Sequence, residues 1–114
     1  MICKKENAKT EKREAMRGGN GTVMLEHPFE ELPSGCRLVS VLTLEKGASI
    51  GEHEHRQEAE LFYVLSGAAI YTENGIPFML AAGDSAMVRN GKHSVEGISD
   101  EPCRILAVIV NDIQ

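Results

Sequence analysis

The chain has 114 residues, of which 42% are hydrophobic and 25% charged, and its formal net charge is −5. This length predicts one domain with a modest core, and the acidic balance argues against nucleic-acid binding, which requires a basic surface. No apolar run has the length of a membrane span and no signal-peptide core is visible, so we predict a cytoplasmic protein without a membrane partner.

The first 22 residues are polar, show no clear period and end in the letters RGGNGT. Basic and acidic side chains alternate irregularly among them, which is typical of a solvated segment rather than of a nucleic-acid-binding arm. We therefore predict a loose or extended N-terminal arm at 1–22 ahead of a single domain at 23–114. The RGGNG letters lack the GK[ST] ending of a phosphate-binding loop, so we interpret them as a flexible joint.

From Val23 onward, short β-type runs alternate with turn signals, and helical periodicity is absent. Asn74-Gly75 is a strong hairpin signal between two such runs. Many short strands at fairly regular spacing predict an all-β sandwich or barrel. The predicted strands are 36–45, 49–55, 60–66, 68–73, 77–81, 85–89 and 103–110.

Several of these strands are apolar on both faces. In 60–66, Phe62 and Val64 share one face with Glu60, whereas Leu61 and Tyr63 share the other. A lone sandwich normally leaves one face of each sheet polar. We therefore expect an outer face to be covered, either by the N-terminal arm or by a second subunit, and we predict a homodimer.

Two of the four histidines, His53 and His55, lie two residues apart in one predicted strand. Side chains alternate along a strand, so both imidazoles face one side with Cα atoms about 6.5 Å apart, and both can reach one metal ion. Glu60 opens the next strand, which we expect to run antiparallel beside the first and to return a carboxylate to the same place. His93 follows a later turn and could close the site from a neighbouring hairpin.

The same stretch has a second interpretation. Glu52, Glu54 and Glu58 are typical of a solvated face, and such a strand can contain two histidines without binding a metal. His27 lies in a turn-rich segment and is interpreted as a surface histidine. Three of the four histidines meeting one carboxylate favour the metal site over the solvated strand.

The spacing resembles the first motif of the cupin family, in which a glycine, His-x-His, a glutamate and a second glycine follow at set intervals. Gly47, His53, His55, Glu60 and Gly67 meet every interval. Part of the second cupin motif is also present, as Gly83, Asp84, Gly91 and His93. Three departures stand out: Arg89 replaces a usual proline, the turn from Gly91 to His93 is one residue short, and Gly97 replaces a terminal asparagine.

This resemblance implies a double-stranded β-helix, or jelly roll, with a divalent metal inside the barrel on His53, His55, Glu60 and His93. Three imidazoles and one carboxylate with open coordination positions suit manganese, iron, nickel, copper or zinc, and the sequence does not select among them. An open position can polarise a substrate oxygen, acidify bound water or bind dioxygen or a bidentate acid.

Two classes of function follow from the resemblance. One is a small metalloenzyme acting on a small polar or carboxylate-containing molecule, by dioxygenase, oxalate-degrading or isomerase chemistry. The other is a metal- or ligand-binding or sensor module without turnover. An arginine near the barrel mouth could bind a carboxylate bidentately. Arg89, which shares strand parity with Ser85 and Met87, is the candidate for substrate contact.

Overall fold

The computed structural model describes residues 1–113. In these residues the strands form two antiparallel sheets, and two 3₁₀ turns of three residues each are also present. The strands are β1 (Lys9–Glu14), β2 (Thr22–His27), β3 (Cys36–Leu44), β4 (Ser49–Glu54), β5 (Glu58–Ser66), β6 (Ala68–Glu73), β7 (Ile76–Ala81), β8 (Ser85–Arg89), β9 (Lys92–Gly97) and β10 (Cys103–Asn111).

The two sheets face each other as in a jelly roll. The six-stranded sheet has the order β1-β2-β3-β10-β5-β8, and the four-stranded sheet has the order β4-β9-β6-β7. Neighbours in space are often distant in sequence, as where β10 pairs with both β3 and β5. The all-β double-stranded β-helix predicted from the sequence is confirmed.

Alternation along the strands builds the core between the sheets. Phe62 and Val64 point inward and are almost fully buried, whereas Leu61, Tyr63 and Leu65 are 40 to 49% exposed on the outer face. The buried cluster is completed by the inward residues of both sheets: Val23, Leu25, Leu42, Leu44, Ile50, Ala69, Tyr71, Val95, Cys103, Ile105 and Ala107. The homodimer that the apolar outer face indicates stays a prediction.

The N-terminal segment is built into the fold. Residues 9–14 form β1, which pairs antiparallel with β2 in register from Lys9 opposite His27 to Glu14 opposite Thr22. Within the arm predicted at 1–22, residues 9–14 are therefore an ordered edge strand rather than a loose segment, because these mixed charges suit an exposed edge strand as well as a solvated tail. The segment extends the sheet sideways and leaves the outer face of β5 uncovered.

No helix in residues 1–113 has the length and hydrophobicity needed to cross a membrane. The three cysteines are free, and Cys103 is buried in the core.

Candidate metal centre

The two sheets together bring His53, His55, Glu60 and His93 to one point inside the barrel. His53 lies on β4 directly opposite His93 on the adjacent strand β9, and His55 follows the end of β4. Glu60 lies on β5, which belongs to the other sheet. The expectation that the Glu60 strand pairs with the His53 strand is wrong, because residues 55–57 carry the chain from one sheet to the other and the carboxylate faces the histidines across the interior.

The ligating atoms of these side chains are close to one another. His93 Nε2 lies 3.1 Å from both His53 Nε2 and His55 Nε2. One Glu60 oxygen lies 2.9 Å from His93 Nε2, 3.0 Å from His55 Nε2 and 3.9 Å from His53 Nε2. Ligands at about 2.1 Å from one ion can lie about 3 Å apart, so four of these five distances fit donors to a single ion.

The other ring nitrogen of two histidines donates a hydrogen bond outward. His53 Nδ1 donates to the Gly51 carbonyl oxygen at 2.8 Å, and His55 Nδ1 donates to a Glu58 carboxylate oxygen at 2.7 Å. The pKa of Glu58 is lowered to about 2, mainly by the two hydrogen bonds from Arg37 and to a smaller extent by the bond from His55. The carboxylate therefore stays charged. Glu58 therefore orients a histidine, contrary to its interpretation as part of a solvated acidic face.

The third histidine is held by a chain of two further side chains. Tyr71 donates its hydroxyl proton to Glu73 at 2.8 Å, and the phenol oxygen accepts from His93 Nδ1 at 3.2 Å. Burial and the bond to Glu73 raise the pKa of Tyr71, so the phenol keeps its proton. Phe62 stacks on the His93 ring at a centroid distance of 5.2 Å and limits its rotation.

These contacts assign the proton to Nδ1 in each ring and leave the Nε2 lone pairs facing one point. Three lone pairs and a carboxylate oxygen at this separation repel one another unless a cation lies between them. One proton satisfies a single pair of these atoms, whereas a metal ion satisfies all four. The donor set therefore fits a divalent transition metal.

The charges in the buried site are strongly coupled. In the metal-free site, burial would raise the pKa of Glu60, but His53, His55 and His93, which donate to it from Nε2 when a ring is protonated on both nitrogens, outweigh burial and leave that pKa well below its usual range. The bond to Glu60 raises the pKa of His55, and burial lowers the pKa of His93. The carboxylate is thus an anion at neutral pH and offers a charged ligand to a cation.

A cavity of about 100 Å³ leads to the centre. It is far smaller than the roughly 300–1,000 Å³ of sites for drug-sized ligands, so it suits a molecule of a few heavy atoms. Apolar side chains such as Leu42, Ile50 and Phe62 line its wall together with His53. Three arginines also line it: Arg13, Arg17 and Arg37.

Sequence reasoning did not single out Arg13 and Arg17, because both lie in the segment interpreted as a loose arm. The structure does not bring the predicted substrate-contact residues Arg89, Ser85 and Met87 to the cavity. Their parity on β8 turns all three to the exposed outer face, where Arg89 pairs with Asp112 at 2.6 Å.

Comparison with known proteins identifies the family to which this fold and site belong. The family model described as "Cupin domain" matches residues 40–109, more than half of the chain. The chain belongs to the cupin family. It is 32% identical over 113 residues to an oxalate-binding protein of Thermotoga maritima, a match that covers 96% of this chain and 93% of the relative.

Solved structures resemble this cupin over nearly its whole length. The crystal structure of a predicted oxalate decarboxylase from Thermotoga maritima has a TM-score of 0.92 and 31% identity, covering 97% of this chain and 99% of that one. The cupin domain of Schizosaccharomyces pombe Cnp3 has a TM-score of 0.73 at 18% identity, covering 90% and 69%, and shows the fold alone.

The departures from the second cupin motif have structural explanations in this cupin. The shortened turn still delivers His93, because β9 begins at Lys92 and His93 pairs directly with His53. At Gly97, a Cβ atom would lie 2.7 Å from the Glu45 carbonyl oxygen, so the position has no space for an asparagine.

Proposed function

We propose that this cupin binds one divalent transition metal through His53, His55, Glu60 and His93. The observation that carries the proposal is the convergence of three Nε2 lone pairs and a buried carboxylate oxygen on one point. The outward hydrogen bonds of each Nδ1 support it, because metal-bound histidines usually have such partners. Manganese, iron, nickel, copper and zinc all suit this donor set.

We further propose that the bound metal holds a small carboxylate-containing molecule, with oxalate as the first ligand to test. The small cavity and its three arginines support an anionic ligand of a few atoms. The relative from Thermotoga maritima named an oxalate-binding protein supports the same class. A bound metal would supply an electrophilic centre with open positions for carboxylate oxygens.

The cavity lining favours binding without turnover as the function. Among the described residues that line the cavity, Glu60 is the one carboxylate, and tyrosine, cysteine and aspartate are absent. Glu60 is assigned to the metal, so the lining offers no separate acid to protonate a substrate carbon, as loss of carbon dioxide from oxalate requires. Metal-dependent turnover is the second candidate, supported by the likeness to a predicted oxalate decarboxylase.

Elemental analysis of the purified protein after loading with each metal tests the first proposal. We expect one metal per chain in the wild type and strong loss in His93→Ala. His27→Ala is the matched control, because His27 contacts Glu11 and Ser40 outside the centre. A wild type that holds no stoichiometric metal under any loading condition contradicts the proposal.

Binding and turnover are separated by incubating the metal-loaded protein with oxalate. Binding alone predicts a saturable titration and unchanged oxalate over time. Formate or carbon dioxide that appears with wild type and disappears with His53→Ala would instead establish the enzyme.

A further inference from the structure

The segment that carries Arg17 is packed backbone to backbone against a metal-site strand. The 3₁₀ turn Met16–Gly18 lies beside β4, and a Cβ atom at Gly19 would lie 2.2 Å from the Ser49 carbonyl oxygen. At Gly51, a Cβ atom would lie 2.2 Å from the Arg17 carbonyl oxygen. Only glycine permits this approach, so the interpretation of RGGNG as a flexible joint is wrong.

Hydrogen bonds hold the same contact in register. The Ser49 amide donates to the Asn20 carbonyl oxygen at 2.8 Å, and the Asn20 amide donates to the Ser49 hydroxyl oxygen at 2.8 Å. Arg17 itself is left-handed, with φ 54° and ψ 31°. A non-glycine residue in that region costs on the order of 1 kcal/mol and persists where its surroundings impose it. The fold thus fixes the backbone of Arg17, a residue that lines the cavity.

Of the three arginines that line the cavity, two already have carboxylate partners. Arg13 forks onto Glu11 at 3.1 and 3.2 Å, and Arg37 forks onto Glu58 at 2.8 and 3.0 Å. Within residues 1–113, the Arg17 guanidinium forms no ion pair. Arg17 lines the cavity that also contains His53 and Glu60, and a guanidinium without a carboxylate partner is suited to bidentate recognition of a carboxylate.

We propose that Arg17 is a specificity-determining residue that binds the carboxylate of a small dianion, oxalate as the representative, held at the metal centre. This inference rests on the proposed function, because the metal supplies the other half of the ligand's contacts. Arg13 and Arg37 also line the cavity, with their guanidinium groups forked onto Glu11 and Glu58. The N-terminal segment then acts as one wall of the binding site.

The test is calorimetric titration of oxalate into Mn(II)-loaded protein, with bound manganese measured independently by elemental analysis and electron paramagnetic resonance. Arg17→Gln is expected to keep its metal and to weaken oxalate binding about 10- to 100-fold, the loss of a hydrogen-bonded charged group. The oxalate affinity of Arg17→Lys is expected to lie between those of the wild type and Arg17→Gln, because lysine keeps the positive charge but cannot form the bidentate contact.

Two further variants fix the location of the effect. Arg89→Gln removes the same charge from the outer face and is expected to bind oxalate like the wild type. Gly19→Ala retains arginine at position 17 but pushes the backbone of this segment away from β4. We therefore expect weakened oxalate binding with the metal retained.

The outcomes separate the two proposals. Loss of oxalate affinity in Arg17→Gln with full manganese occupancy supports the inference. Unchanged affinity in that variant, an equal loss in Arg89→Gln, or a metal-loaded wild type that does not bind oxalate overturns it and leaves the metal centre standing. A wild type that takes up no metal overturns the proposed function itself.

Discussion

Removal of the Glu58 carboxylate is expected to weaken metal binding although Glu58 is outside the proposed ligand set. Glu58 accepts from His55 Nδ1 at 2.7 Å, and its side chain is 16% exposed, so solvent replaces it poorly. A hydrogen bond to a charged group contributes about 1.5–3 kcal/mol. Its complete loss in Glu58→Ala corresponds to about 10- to 100-fold in the metal Kd, in line with other partners of metal-bound histidines.

A graded series distinguishes orientation of His55 from a general loss of structure. Glu58→Gln keeps a neutral acceptor of about half the strength, so we expect roughly a 3- to 10-fold loss in metal affinity. Glu54→Ala is the matched control, because this substitution removes the same charge from a residue that pairs with Arg56 at the surface. We expect the control to change the metal Kd by less than about twofold, as for an exposed ion pair.

Chelator competition measures the metal Kd, and chemical unfolding of the metal-free proteins measures their stability. Equal metal affinity in Glu58→Ala and Glu54→Ala would refute the assigned role of Glu58. A loss explained entirely by unfolding of metal-free Glu58→Ala would refute it as well, because orientation of His55 predicts a defect in the folded protein.

Two further predictions concern pH and the departure at residue 97. The pKa of His55 is raised, so its proton stabilises the metal-free fold fully below the unfolded imidazole pKa of about 6.5, and this contribution is lost as pH rises through the folded pKa. Metal binding requires the neutral ring, so the gain in Tm on metal addition should grow from about pH 5.5 to 7.5; a gain that shrinks over this range would contradict the assignment. Gly97→Asn, which restores the usual cupin residue, should destabilise the fold by about 1–3 kcal/mol in chemical unfolding, because its Cβ atom meets backbone oxygens of Glu45 and Leu44. Gly75→Asn is the control for backbone strain alone, since its Cβ atom would meet nothing within 4 Å and its cost is confined to the left-handed φ of 84°; a loss in Gly97→Asn smaller than in this control would refute the packing explanation.

Local spacing predicted the β-strands and the shared face of His53 and His55, and the resemblance to the cupin motifs added Glu60 and His93 to the proposed metal site. Period-two alternation placed His53 and His55 on one face, and the structure buries His55 while leaving Glu54 exposed. The Asn74-Gly75 hairpin signal was confirmed by the pairing of β6 with β7. These features need only the geometry of one strand or one turn.

Local spacing did not predict which strands lie beside one another in the fold. Adjacent strands in sequence usually pair, so Glu60 was expected beside His53, whereas β5 belongs to the opposite sheet. Arg13 and Arg17 were missed because Arg13 lies on β1, for whose pairing with β2 the mixed charges of residues 9–14 give no signal, and Arg17 lies in the turn that follows β1. Gly19 was a signal for this placement, because glycine is required where two backbones approach closely as well as in flexible joints.

The contact between Gly19 and β4 joins a segment that precedes the family-model match to a strand inside that match. The family model covers residues 40–109, which contain the four side chains of the proposed metal site, whereas Arg13 and Arg17 precede it. Substitution in residues 9–20 can therefore alter what enters the cavity while the donor set remains the same. Related chains that exchange this short segment could acquire new ligands without rebuilding the barrel, and a graft of residues 9–20 between two cupins is the corresponding route for engineering.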